Sequence, residues 1–252
     1  MPQSSPIAEG QGHTSEAAGF WIRFLRKSDA MTEQEWLTCM NPVPMLEYLH
    51  LRAQDKERKR RLFAVACCRK VWQIFPDEPC RRAVECAERF ADGNASEGEL
   101  AASREAAAYA PISGLAVFSA AQAALTVSAR EATYSGWDFA TAEFAFFAAA
   151  YASVDADSDA ASNEQALILR DIFGNPFRKM PAVETAWLAW KSGTIPKLAQ
   201  AIYDERAFDR MPILADTLQE AGWTDADILS HCGQPGPHVR GCWVLDLVLG
   251  KE

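Results

Sequence analysis

Apolar residues recur at helical spacing along most of this chain, and no segment shows a convincing period-two alternation of a β-strand. The run LFAVACCRKVWQIF, residues 62–75, has apolar residues on most sides, which predicts a helix covered by several neighbours. The pattern therefore predicts an all-α fold, a multi-helix bundle of about ten helices. The segment CWVLDLVLG near the C-terminus fits either a short strand or an extra helical turn, because periodicity does not decide for so short a run.

Two helix starts are marked by a capping-box spacing. Thr32 is followed three residues later by Glu35, and Ser96 is followed three residues later by Glu99. In this motif the hydroxyl of the first residue accepts a backbone N–H, and the carboxylate of the second residue accepts the N–H of the first. We expect a helix to begin directly after Thr32 and another directly after Ser96.

Composition divides the chain into four segments. Residues 1–30 are polar and carry Gly, Ser and Pro without periodicity, which predicts a disordered N-terminal extension. Residues 31–154 form the predicted N-terminal helical bundle, which includes alanine-rich helices. An acidic linker is expected over 155–165, and a C-terminal helical subdomain that packs on the first is expected over 166–252.

Charge and cysteine usage limit the class of protein. The net charge of −9 disfavours nucleic acid as a partner, because binding to phosphates depends on Lys and Arg. Seven scattered cysteines without a secretory leader are typical of reduced thiols, so the expected location is the cytoplasm. The uncharged stretch 106–129 is long enough to cross a bilayer, but it is mostly alanine with polar residues throughout. It predicts a buried helix, and no membrane association is expected.

The segment HCGQPGPHVRGCW, residues 231–243, contains the densest group of metal-binding residue types. His231, Cys232, His238 and Cys242 are all ligand types that zinc accepts, so they form a candidate zinc site. Their spacing is not that of a known zinc finger or ribbon. Two alternatives remain open: a stiff turn in which every residue has a structural role, and a nucleophilic pair of Cys242 with either histidine.

The run KERKRR, residues 56–61, is the strongest local concentration of charge. It lies at the start of a predicted helix, where the macrodipole disfavours positive charge, so a partner with negative charge is one explanation. Pairing within the protein is the other. The candidate interaction surface consists of Arg58, Lys59, Arg60, Arg61 and Arg240.

Several motifs of this chain resemble those of a large family of uncharacterised bacterial proteins, some of which carry the label SMI1/KNR4. The motifs are MTEQEWL, LFAVACCRKVW, LRDIFGNPF and PGPHVRGCWVLDLVLGKE, and the resemblance runs from about Met31 to Glu252. Relatives of this kind often have HLR where this chain has HCG, which implies that Cys232 is dispensable. The label is a regulatory or immunity-type one, but the chain shows no α/β pattern to support the fold of that name.

The sequence as a whole predicts a non-enzymatic, helical interaction or scaffold module whose partner is another protein. No catalytic residue and no cofactor are assigned in this interpretation. The first alternative is a zinc-stabilised domain or small metal-dependent enzyme that uses the C-terminal His/Cys residues. The second is a protein that binds an anionic ligand or nucleic acid through the basic run. Oligomeric state does not follow from the sequence.

Overall fold

The computed structural model describes residues 31–52, 56–74, 78–109 and 158–251, and in these ranges the protein is all-α, with no strand. The predicted fold class is confirmed. Three short 3-10 segments connect some of the helices. The α-helices are α1 (Glu33–Thr38), α2 (Pro42–Leu51), α3 (Glu57–Lys70), α4 (Glu78–Ala91), α5 (Glu97–Ala108), α6 (Ser158–Phe173), α7 (Thr185–Ala189), α8 (Thr194–Glu205), α9 (Met211–Glu220), α10 (Ala226–Gly233) and α11 (Trp243–Leu249).

Both predicted capping boxes are present. The backbone N–H of Glu35 donates to the Thr32 hydroxyl at 3.2 Å, and the Thr32 N–H donates to the Glu35 carboxylate at 2.8 Å. Ser96 and Glu99 repeat the arrangement with the same two distances, 3.2 and 2.8 Å. These reciprocal bonds satisfy N–H groups that the first helical turn leaves without a partner, so local sequence sets where α1 and α5 begin.

The C-terminal segment whose structure was ambiguous is a helix. Helix α11 follows Cys242 and ends at Gly250, which adopts the left-handed conformation with φ +64°. Glycine is favoured there because a side chain strains the backbone at positive φ.

A first hydrophobic core is built by α1 to α6. Helix α3 lies at its centre, and every residue from Leu62 to Cys68 is buried, which confirms the prediction of a helix covered on most sides. Helices α4 and α6 pack on α3, and α5 packs on α4. Cys67 and Cys68 are fully enclosed thiols that pack as small apolar side chains.

A second core is built by α7 to α11. Helix α8 contributes Ile195 and Ile202 at helical spacing, and α11 lies against α8. Trp223 belongs to this core, and Trp187 stacks on it with ring centroids 4.3 Å apart. Helix α11 also contacts α6, so the two cores meet at the end of α6.

The predicted division of the chain needs correction. Residues 158–165, most of the expected acidic linker, are the first half of α6. The expected C-terminal subdomain therefore begins inside this helix, and its buried apolar residues belong to the first core, namely Ala166, Ile168, Leu169, Ile172 and Phe173. The cores divide after Phe173. The continuous apolar face of α6 overrides the acidic composition at its start.

Two expectations lie largely outside the residues that the structure describes. They are the N-terminal extension over 1–30 and the alanine-rich stretch over 106–129, of which only residues 106–109 are described. In the described ranges, no helix combines the length and the apolar character needed to span a membrane.

Candidate metal centre

Four side chains with metal-binding atoms converge where the two cores meet. Asp171, His231, His238 and Cys242 each place one donor atom so that all four atoms lie within 4.8 Å of one another. Three of them belong to the set predicted from the sequence. Cys232 does not join the group, although it is fully buried, and Asp171 takes its place as a corrected fourth member.

Asp171 is supplied by the last turn of α6, in the first core. The end of α6 is fixed by Gly174, whose carbonyl accepts a hydrogen bond of 3.0 Å from the Trp36 indole. Gly174 has a φ of +66°, and a Cβ there would lie 3.2 Å from the Trp243 ring. Close packing of α1, α6 and α11 therefore sets the position of the Asp171 carboxylate.

The other three donors come from the second core. His231 lies in the last turn of α10, and His238 follows in the loop that leads to α11. Cys242 is the residue directly before α11. The loop is attached to α6 because the Val239 N–H donates to the Asp171 carboxylate at 2.9 Å. One carboxylate thus orients both the loop and the two imidazoles.

Three of the six distances between donor atoms are shorter than those of a tetrahedral zinc site by about half an ångström or less. His231 Nε2 lies 3.1 Å from Asp171 Oδ1, and His238 Nδ1 lies 2.8 Å from the same oxygen. His231 Nε2 lies 3.2 Å from Cys242 Sγ. Usual zinc–ligand bond lengths at tetrahedral angles imply about 3.3 Å between N and O ligands and about 3.6 Å between N and S ligands. Shifts of roughly half an ångström would accommodate the ion.

Asp171 is ionised in this environment. Burial acts to raise its pKa, but hydrogen bonds to His231 and His238 and the charges of these imidazoles outweigh burial, so the pKa of Asp171 is lowered. The Cys242 thiol behaves in the opposite way. Burial, followed by the nearby Asp171 charge, raises the pKa of Cys242 well above its ordinary value. Without a cation the thiol is protonated, and the carboxylate carries the negative charge.

The charges of the residues present also fit a divalent ion. With Cys242 as thiolate and Asp171 as carboxylate, the two negative charges would equal the charge of a divalent cation. A neutral complex is the least costly way to bury such a group of charges. Two imidazoles, one thiolate and one carboxylate suit zinc in particular.

The centre is closed toward the adjacent groove. This groove has a volume of about 400 Å³, and its walls include His231, Trp243, Arg170 and Arg178. Asp171, His238 and Cys242 do not line it. The His231 ring packs 5.2 Å from the Trp243 ring, so these two side chains separate the other donors from the groove. Structural zinc sites have this closed form, whereas catalytic sites keep a position open to substrate.

The predicted basic interaction surface is not a solvent-facing surface, and this expectation is corrected. Arg58 points between the cores, where it donates to both Asp246 oxygens at 2.6 and 3.0 Å and to Asp92 at 3.0 Å. Tyr203 also receives a bond from Arg58, at 2.9 Å. Burial alone would lower the pKa of Arg58. The hydrogen bond and the charge of Asp246 outweigh burial, so the pKa of Arg58 is raised. Arg58 is therefore a largely buried cation that joins α3 to the end of α4, to α8 and to α11.

The remaining members of that set are also engaged inside the protein. Arg60 and Arg61 are buried, and Arg61 lies over the Phe90 ring at 5.0 Å. Lys59 donates to the carbonyl of Ile172 at 2.8 Å. Arg240 donates to the Tyr203 carbonyl at 3.2 Å and lies over the Tyr203 ring. The alternative of pairing within the protein accounts for most of this run.

A second buried ion pair network joins the cores beside the first. Glu88 on α4 is bound by Arg69 at 2.7 Å and by Arg206, whose two nitrogens contact both carboxylate oxygens. Burial acts to raise the pKa of Glu88, but Arg206 and Arg69 together lower it. The two networks hold the cores in a fixed relation, and the metal centre lies at the same junction.

Sequence reasoning missed Asp171, although a signal was present. It is the only acidic residue between Leu167 and Phe173, in the run LILRDIF. An acidic residue in the middle of an apolar helix face is buried with it, and buried carboxylates require partners. That argument identifies Asp171 as a residue with a partner but does not identify the histidines.

Comparisons of this chain with protein-family models, with curated proteins and with solved structures found no match. The resemblance drawn from the motifs therefore stays a prediction. The function has to be inferred from the site itself.

Proposed function

We propose that this protein is a zinc-stabilised helical module, in which Asp171, His231, His238 and Cys242 bind one zinc ion at the junction of the two cores. The observation that carries the proposal is the convergence of four donor atoms within 4.8 Å, in a set whose charge balances a divalent cation. The ion would link α6 of the first core to α10 and α11 of the second. Its role is structural.

A nucleophilic role for Cys242 is less well supported. In a catalytic triad, the base contacts the nucleophile with one ring nitrogen and the orienting carboxylate with the other. Here the same atom, His231 Nε2, faces both Cys242 Sγ and Asp171 Oδ1. Cys242 is also fully buried, and its raised pKa opposes formation of the reactive thiolate. These features favour a metal ligand over a nucleophile.

The zinc proposal is compatible with the non-enzymatic helical module predicted from the sequence. All seven cysteines are free thiols, and a zinc–thiolate centre is stable where thiols stay reduced. A reducing compartment such as the cytoplasm therefore suits the protein. We propose that its functional partner is another protein, which binds a surface outside the basic run, since most of that run contacts residues within the chain.

The test compares two cysteine variants that differ only in position. Wild type, Cys242→Ala and Cys232→Ala are purified without chelator, and bound metals are measured by elemental analysis. Each protein is then loaded with Co²⁺, whose visible spectrum reports tetrahedral coordination and whose near-ultraviolet band reports a thiolate ligand. Cys232 is the matched control, because it is equally buried and was a ligand candidate from the sequence alone.

We expect one zinc per chain in wild type and in Cys232→Ala, with a single thiolate–cobalt band in both. Cys242→Ala loses the thiolate band and most of the bound metal. Absence of stoichiometric metal in wild type, together with no cobalt spectrum after loading, would refute the proposal. Equal loss in both cysteine variants would refute the assigned ligand set.

A further inference from the structure

The basic run contains two lysines, Lys56 and Lys59. Lys56 is exposed at the start of α3, and Lys59 is half-buried one turn later. Both line a second groove of about 380 Å³, between the start of α3, the end of α6 and the end of α11. This volume lies in the range of small-molecule sites, roughly 300 to 1,000 Å³. None of the four proposed zinc ligands lines it.

The groove carries an excess of positive charge. Four cationic residues and one carboxylate line it, and the carboxylate of Asp246 is already bound by Arg58 through both oxygens. Arg178 pairs with Glu33 at 2.7 Å and is largely balanced. Lys59 donates to a neutral acceptor, the carbonyl of Ile172, and its ammonium group lies 5.8 Å from the centre of the Phe173 ring. The other lining cations are Lys56 and Lys251, and Lys251 lies 3.8 Å from Asp92.

The surroundings of Lys59 increase what an anion would gain by binding there. Burial, together with the positive charges of Arg58 and Lys56, lowers the pKa of Lys59 despite the nearby Asp246. An anion beside the amine would relieve this repulsion and stabilise the charged form. The first turn of α3 adds to the effect, since no side chain caps it and its dipole favours negative charge.

Apolar side chains also line the groove. They are those of Phe173, Met180, Trp243 and Leu247. A ligand that fills the groove therefore needs a charged end beside Lys59 and an apolar body against these side chains. We propose that the groove binds a small phosphate monoester with an apolar or aromatic body, held by Lys59 and Lys56. A phosphate group offers several acceptor oxygens at once, which suits two ammonium groups.

The test is a calorimetric titration of the full-length protein with phenyl phosphate, and separately with inorganic phosphate, at constant ionic strength. Lys59→Met and Lys56→Met remove the two amines and keep the unbranched stems. Lys70→Met is the matched control, because it makes the same change at the other end of the same helix, outside this groove. Circular dichroism spectra establish that each variant is folded.

Phenyl phosphate is expected to bind saturably and more tightly than inorganic phosphate. Lys59→Met weakens its affinity at least about tenfold, since a charge-assisted hydrogen bond is lost. Lys56→Met weakens it about two- to fivefold, since an exposed charge contributes less. Lys70→Met leaves it unchanged.

Three results would overturn the proposal: no saturable binding to wild type, equal affinity for both phosphates, or full affinity in folded Lys59→Met. Because the proposed zinc ligands do not line the groove, the outcome is independent of the zinc proposal. Repeating the titration with Cys242→Ala separates the two directly.

Discussion

Replacement of Asp171 by Asn is the most direct test of the junction, because it keeps the shape of the side chain and removes its charge. The carboxylate accepts the Val239 N–H at 2.9 Å through one oxygen and faces both imidazoles through the other, at 2.8 and 3.1 Å. An amide has only one oxygen, so either the loop or the imidazoles lose their acceptor. The zinc ion would also lose its second negative ligand.

The magnitudes follow from these contacts. Zinc at a hundred times its dissociation constant stabilises the wild type by about 2.7 kcal/mol. For a chain of 252 residues, this corresponds to a rise in Tm of about 5 to 11 °C. In chelator, Asp171→Asn loses a hydrogen bond to a charged acceptor, about 1.5–3 kcal/mol, which lowers Tm by about 3 to 12 °C. Added zinc then restores little of the loss.

The assay is thermal unfolding followed by circular dichroism, in chelator and in excess zinc. Asp216→Asn is the matched control, since it makes the same change at an exposed position on α9 and should lower the free energy of unfolding by less than about 0.5 kcal/mol. An equal zinc-dependent rise in Asp171→Asn and in wild type would refute the assignment of Asp171 as a ligand.

Three further predictions concern the same junction. Gly241→Ala destabilises the protein by about 1–3 kcal/mol more than Gly222→Ala in chemical denaturation. Both glycines have φ +91°, but only a Cβ at Gly241 would lie close to a neighbour, 2.9 Å from the side chain of Leu62. Equal effects of the two changes would contradict this contact. Arg58→Met lowers the free energy of unfolding by about 3–5 kcal/mol, because the buried Asp246 and Asp92 carboxylates both lose the guanidinium and Asp92 keeps only Tyr203 and Lys251. The exposed Arg82→Met serves as control with an effect below about 1 kcal/mol, and an equal effect of the two changes would contradict this role of Arg58. Zinc binding releases about one proton from Cys242, because burial raises the pKa of this thiol and keeps it protonated without the ion. The zinc affinity therefore increases about tenfold per pH unit near neutrality. Calorimetry in buffers of different protonation enthalpy measures the number of protons released, and a value of zero would refute thiolate ligation.

Local physics made much of the fold predictable. Capping boxes place the starts of α1 and α5, and apolar periodicity identifies α3 as a buried helix. The same reasoning failed for the basic run. A row of cations at a helix start is usually solvated, and the carboxylates that draw Arg58 inward lie 34 and 188 positions away in the chain. A local sequence pattern cannot predict partners that are so distant in the chain.

The candidate site shows the same limit. Its three C-terminal donors lie within twelve residues, so sequence inspection found them, whereas Asp171 comes from 60 residues earlier than His231. Helical geometry alone argues against Cys232 as a ligand together with His231. Cys232 is adjacent to His231 on one helix, and successive helical side chains point about 100° apart. Two such neighbours cannot both face one small ion.

The origin of Asp171 in the first core has a consequence for how the protein folds. A chain in which only the second core has formed offers two imidazoles and one thiol, an incomplete set that binds zinc weakly. The full set exists only after α6 has docked against α10 and α11. Metal affinity would then depend on correct assembly, and the bound ion would make the two cores unfold as one cooperative unit. Partly assembled chains would be distinguished from mature ones by their failure to retain the ion.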